Sequence, residues 1–108
     1  MKGDPFVQFH ANVGHLSNVI PLRRNSSGGE WDNGSVDIVF IDAMHQNPWV
    51  GEDIRYWEGK VEPGGVICGD DYSKKFPAVI EEAHACADRH GVPLELPGQK
   101  LWVVRKPA

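Results

Sequence analysis

The sequence predicts a single α/β domain whose short, mostly parallel sheet closes in a C-terminal antiparallel hairpin. Three observations predict it. Val36-Asp37-Ile38-Val39-Phe40-Ile41-Asp42 is a nearly continuous apolar run, as a central strand requires when helices cover both faces of a parallel sheet. Gly65-Val66-Ile67-Cys68-Gly69 is a second short apolar run, and it too stops at acids, Asp70 and Asp71. The stretch between Asp42 and Gly65 is long enough for the helical crossover that joins parallel strands.

In chain order, Asp4-Pro5 is a cap followed by proline at a first helical position, and Phe6, Phe9, His10 and Val13 recur at helical spacing until Gly14. Asn18-Val19-Ile20-Pro21-Leu22 predicts a short strand, pushed toward a sheet edge because Pro21 has no N–H for a ladder. Asn25-Ser26-Ser27-Gly28-Gly29 and Asp32-Asn33-Gly34-Ser35 are turn formers that bracket Glu30-Trp31 and lead into the central strand. After His45, Asn47-Pro48 repeats the cap-then-proline signal. Val50, Ile54, Trp57 and Val61 share one helical face, and Pro63-Gly64-Gly65 is expected to stop that helix. A second helix is expected from about Pro77 to His90, with Val79, Ile80, Ala83, Cys86 and Ala87 inward and Gly91 as its stop. Pro93-Leu94-Glu95-Leu96 and Leu101-Trp102-Val103-Val104-Arg105 flank Pro97-Gly98-Gln99-Lys100, which predicts the closing hairpin. No internal repeat is present.

Composition excludes several classes. At 108 residues, 41% hydrophobic and 24% charged, the chain suits one small globular domain. A net charge of -4, with eleven scattered Lys and Arg, argues against a nucleic-acid surface. No apolar stretch approaches a membrane span and no signal-peptide pattern opens the chain, so a cytoplasmic protein is expected. The two cysteines, Cys68 and Cys86, show no Cys-x-x-Cys or Cys/His spacing for zinc and are expected to be buried free thiols. His10, His15, His84 and His90 are expected on surfaces or helix ends, and Trp49, Trp57 and Trp102 in the core.

Val36 to His45, Lys60-Val61-Glu62-Pro63-Gly64-Gly65-Val66-Ile67, Asp70-Asp71-Tyr72 and the closing hairpin together resemble the C-terminal half of a class I S-adenosylmethionine-dependent methyltransferase. Acid-x-x-His after the fourth strand and Lys-x-x-Pro-Gly-Gly before the fifth carry the likeness, and Phe6 to Leu22 is similar to the family's third helix and strand. The resemblance implies one truncated, partial Rossmann-like domain over residues 1–108. It also implies S-adenosylmethionine as cofactor, with Asn25 and Ser26 near the adenine, although turn formation accounts for those two residues equally well. The family holds its cofactor chiefly on its first two strands through a Gly-x-Gly loop, and no Gly-x-Gly occurs in residues 1–108. The missing half is therefore expected from elsewhere.

Parallel neighbours lie about 4.8 Å apart, so Asp42 and Asp70 at matching strand ends are placed to share one hard cation, with Asp71 as a third oxygen ligand. Oxygen donors select Mg2+ or a similar divalent ion over zinc. By resemblance to metal-dependent O-methyltransferases, the ion would hold a small-molecule hydroxyl and His45 would serve as its base. Acids at strand ends also cap helices and bond loop amides, so Asp42 alone is read equally well as structural.

Two other classes compete. In the family's sheet order the strand beside Val36 to Asp42 is the missing first strand, which leaves an apolar edge open. A non-catalytic module that self-associates, or binds a complementing chain, through that edge follows from this reading. The run Asp37 to Met44 also resembles the phosphoacceptor strand of a response-regulator receiver. A receiver, however, carries its acid pair before that strand and ends in a helix.

Overall fold

The computed structural model describes residues 7–8, 11–12, 14–20, 31–42 and 45–108. Its elements run β1 (Val36–Ile41), α1 (Trp49–Lys60), β2 (Val61–Gly69), α2 (Pro77–His90) and β3 (Trp102–Arg105). The sheet has the order β1-β2-β3. β1 is parallel to β2, and β2 is antiparallel to β3. The expected α/β class and the crossover stand, but the sheet is mixed rather than mostly parallel.

Among the described residues β1 is not central but lies at an edge of the sheet, and Ile38 and Phe40 are 61% and 55% exposed. β2 takes the central place. The helices α1 and α2 pack on each other and on the strands, and the core joins Val50 and Ile54 of α1 and Val79, Ala83, Cys86 and Ala87 of α2 to Ile41, Ile67, Trp102 and Val104. Strand side chains alternate between faces, so the side of the sheet bearing Ile38 and Phe40 is left without a helix among the described residues. A continuous apolar run thus overstated how many faces of β1 are covered.

Helix α1 begins where the Asn47-Pro48 signal places it. Pro48 occupies the N-cap, and Asn47 Oδ1 accepts a 3.1 Å hydrogen bond from the Gly51 amide, one of the donors the first turn leaves open. The helix stops at Lys60, not at Pro63. Pro63-Gly64-Gly65 lies inside β2, in an irregular stretch where Val36 pairs with Val61 but Ile38 already pairs with Val66. Gly64 takes φ 82 there, a left-handed conformation that glycine adopts without steric cost. Lys106 Nζ donates to the carbonyls of Glu58 and Val61 at 2.8 and 2.7 Å, closing the end of α1.

Helix α2 has the expected bounds, with Pro77 in its first turn and Gly91 as a left-handed C-cap at φ 65. Ile80, expected inward, is only half-buried. Both cysteines are buried free thiols. Burial raises the Cys68 pKa, and burial with the neighbouring Glu58 carboxylate pushes Cys86 up to about 12.

Three further expectations give way. Val19 donates to the Leu16 carbonyl in a turn, and residues 18–20 form no strand; Pro21 and Leu22 lie outside the described residues. The first arm of the hairpin shrinks to a bridge between Glu95 and Val103, since Pro93 and Pro97 at its ends have no N–H to donate. Trp102 is buried and Trp57 packs against the core, but Trp49 is 49% exposed. Val7, Gln8, Ala11 and Asn12 are helical and exposed, while Asp4 to Phe6, Phe9, His10 and Val13 lie outside the described residues.

Gly69 closes β2 at a crowded point. A Cβ there would sit 2.7 Å from both the Ile41 carbonyl oxygen and Trp102 Nε1, neither of which yields without moving β1 or a fully buried indole. Gly69→Ala is expected to destabilise the fold by about 1–3 kcal/mol, read as a lower urea midpoint at unchanged m-value.

Candidate active site

The carboxyl ends of β1 and β2 meet in register, Ile41 opposite Gly69, and the Asp70 amide donates to the Ile41 carbonyl at 3.4 Å. The next residues of the two strands are therefore neighbours. Asp42, Asp70 and Asp71 each bring a carboxylate oxygen to within 4.8 Å of the others. Asp42 is exposed and the other two are half-buried. Asp71 has φ 66, a left-handed conformation that few residues other than glycine adopt and that aspartate tolerates better than most.

His45 follows β1 by a short connection and reaches the same place. Its Nε2 lies 2.6 Å from Asp71 Oδ2, and its ring stacks on Phe76 with centroids 4.1 Å apart and planes at 16°. Phe76 is the N-cap of α2. The imidazole is thus held at one edge by a carboxylate and across one face by an aromatic ring. With Nε2–H donating to Asp71, Nδ1 keeps its lone pair. His45, Gln46, Asn47, Lys75, Phe76, Pro77 and Ala78 line a pocket of about 600 Å³ beside this arrangement, a size that accommodates a small molecule.

Asp42, Asp70, Asp71 and His45 are therefore brought together as expected. Asn25 and Ser26, assigned to the cofactor, lie outside the described residues. Phe76 and Lys75 line the pocket without having been singled out from the sequence. The only local signal for Phe76 was its place before Pro77 at the start of a helix, which says nothing of a histidine 31 positions upstream. Below the site, Tyr72 donates its amide to the Lys100 carbonyl at 3.0 Å, and its hydroxyl lies 2.7 Å from Nε2 of exposed His84. His84 is thus on a surface, as expected. His90 is half-buried and contacts Glu58 at 2.9 Å.

The donor chemistry fits a hard divalent cation. Three carboxylates supply oxygen ligands at short mutual range, and Asp71 retains a second oxygen beyond the one His45 engages.

A methyltransferase domain family matches residues 5–72. The chain belongs to that family. The matched segment runs through β1, α1, β2 and the acids at the end of β2, and the mixed three-strand sheet with two helices is consistent with a partial methyltransferase fold. Membership implies S-adenosylmethionine as the methyl donor in general, and it decides against the receiver-like reading. No curated protein matches the chain. No helix among the described residues of this methyltransferase domain is long and apolar enough to cross a membrane.

The acidic edge brings like charges together. Three like charges with oxygens inside 4.8 Å repel one another, by up to about 1 kcal/mol per pair in a watery environment. Asp42→Asn is expected to leave the fold as stable or raise its stability by up to about 1 kcal/mol at low salt, the gain shrinking as salt is added. Urea unfolding at two ionic strengths checks this.

Proposed function

We propose that this methyltransferase domain serves metal-assisted O-methyl transfer to a small-molecule hydroxyl. Asp42, Asp70 and Asp71 would hold a divalent cation such as Mg2+, and His45 would act as the base. The observation that carries the reading is the contact between His45 and Asp71, which joins a titratable base to the acidic cluster beside a pocket. A bound divalent cation supplies charge that lowers the pKa of an acceptor hydroxyl. S-adenosylmethionine, when bound, supplies the methyl group.

The chain's own residues do the rest. Asp71 orients the imidazole through Nε2, so that Nδ1 takes the hydroxyl proton while the carboxylate balances the imidazolium that forms. Phe76 fixes the ring plane and lines the pocket in which a flat acceptor packs. Positioning of this kind supplies much of the rate in a displacement reaction. Asn25 and Ser26 are assigned to the adenine side. The Gly-x-Gly loop that residues 1–108 lack would come from other polypeptide.

Calorimetric titration of S-adenosylmethionine with Mg2+ present tests this reading. Micromolar binding that weakens in Asp42→Ala is the expected result. Absence of heat together with an unchanged melting temperature would sink it for this chain alone.

The open edge of β1 favours a second reading, in which the domain is an association module. Its outer edge, without a strand partner among the described residues, and the exposed Ile38 and Phe40 suit antiparallel pairing with the same strand of a second copy. Sedimentation at micromolar concentrations should then give a dimer that Phe40→Lys dissociates, and a strictly monomeric mass removes this reading.

A further inference from the structure

A second cluster of metal-type ligands stands apart from the acidic edge. Glu58 lies in the last turn of α1, and Cys86 and His90 lie one helical turn apart at the end of α2. One donor atom from each falls within 4.8 Å of the others. The Cys86 thiol donates to Glu58 Oε2 at 3.4 Å, and His90 Nε2 is 2.9 Å from the same oxygen. A thiol and an imidazole thus converge on one carboxylate oxygen, at separations close to the roughly 3.3–3.6 Å between ligands of a tetrahedral zinc ion.

We propose that Glu58, Cys86 and His90 form a binding site for Zn2+ that staples α1 to α2. Sulfur, imidazole nitrogen and carboxylate oxygen are together the donor set of zinc and cobalt, and the thiolate disfavours magnesium and calcium. Cys86 and His90 sit at i and i+4, the spacing that brings two side chains to one face of a helix. The surroundings orient the third ligand. Arg89 Nε donates to Glu58 Oε1 at 2.8 Å, which holds the carboxylate so that Oε2 faces Cys86 and His90, as the outer partners of metal ligands commonly do. Lys106 spends its ammonium on the Glu58 and Val61 carbonyls and does not occupy either carboxylate oxygen.

Binding exchanges protons for the ion. Cys86 Sγ loses its proton to solvent as the zinc–sulfur bond forms, and His90 binds as neutral imidazole, releasing a proton if it carried two. Cys86 is fully buried, while the His90 and Glu58 side chains keep 19% and 12% exposure, enough to admit an ion and leave water as a fourth ligand. Since α1 runs back from the carboxyl edge, its last turn and the end of α2 lie toward the amino edge of β1 and β2. The site is therefore independent of the methyl-transfer reading.

Titration of the metal-free full chain with Co2+ tests the proposal. The expected result is thiolate-to-cobalt charge-transfer absorption that saturates at one Co2+ per chain and is bleached by Zn2+, together with a melting temperature raised by Zn2+. Cys86→Ser should abolish the absorption in a protein whose far-UV circular dichroism is unchanged. Should that variant fail to fold, His90→Gln at the half-buried position should weaken Co2+ binding by roughly tenfold or more. Asp42→Asn should leave the absorption in place. Absence of charge-transfer absorption, its persistence in Cys86→Ser, undiminished affinity in His90→Gln, or its loss in Asp42→Asn would each overturn the assignment.

Discussion

The parallel pairing of β1 with β2 is the constraint on which the rest depends. Two strands that run the same way cannot be joined by a tight turn, so the chain must return along a crossover, and α1 is that crossover. Pairing in the register Ile41 to Gly69 then ends both strands at one height. Because side chains alternate strictly along a strand, a slip of one residue would send Ile41 and Ile67 out of the core. Burial therefore holds the register, and the register places Asp42 beside Asp70. Gly69 permits it by leaving room for the Trp102 indole against the end of β1.

Among the described residues, helices cover one face of the sheet. Both helices meet the sheet on the face that carries Ile41, Ile67, Trp102 and Val104, and the opposite face keeps Ile38 and Phe40 exposed. Membership in the methyltransferase domain family gives this a context, since in such folds helices cover both faces of a wider sheet. The packing also includes a local conflict. Asp53 is buried in α1, and its Oδ2 finds no hydrogen-bond partner among the described residues, an arrangement that costs free energy wherever the group remains polar and unpaired.

The helices and strands point their ends in opposite directions, and this separates two kinds of chemistry. At the carboxyl ends of the strands the candidate donors are oxygens, with His45 held between Asp71 and Phe76. Where the helices end, they are sulfur, nitrogen and one carboxylate, braced by Arg89. Hard and borderline cations would sort between the two by donor type alone. Neither place is the middle of a helix or a strand. Each lies where an element stops and its side chains are free of the regular lattice.

Local pattern determined a great deal. The apolar runs located β1 and β2, helical periodicity with the Pro48, Pro77 and Gly91 signals set α1 and α2, and the position of acids directly after each strand made the carboxyl edge a candidate site before any packing was known. Those features depend on neighbours within a few residues, which is what a sequence displays directly. Tertiary structure decided whatever depends on distant partners. It put β2 between the other two described strands, left Trp49 exposed and Asp53 buried, and stacked His45 on a phenylalanine from another element. Most plainly, it joined Cys86 and His90 to Glu58. The i, i+4 pair is written in α2, but the carboxylate that completes it comes from α1, and only the packing of one helix on the other brings them together.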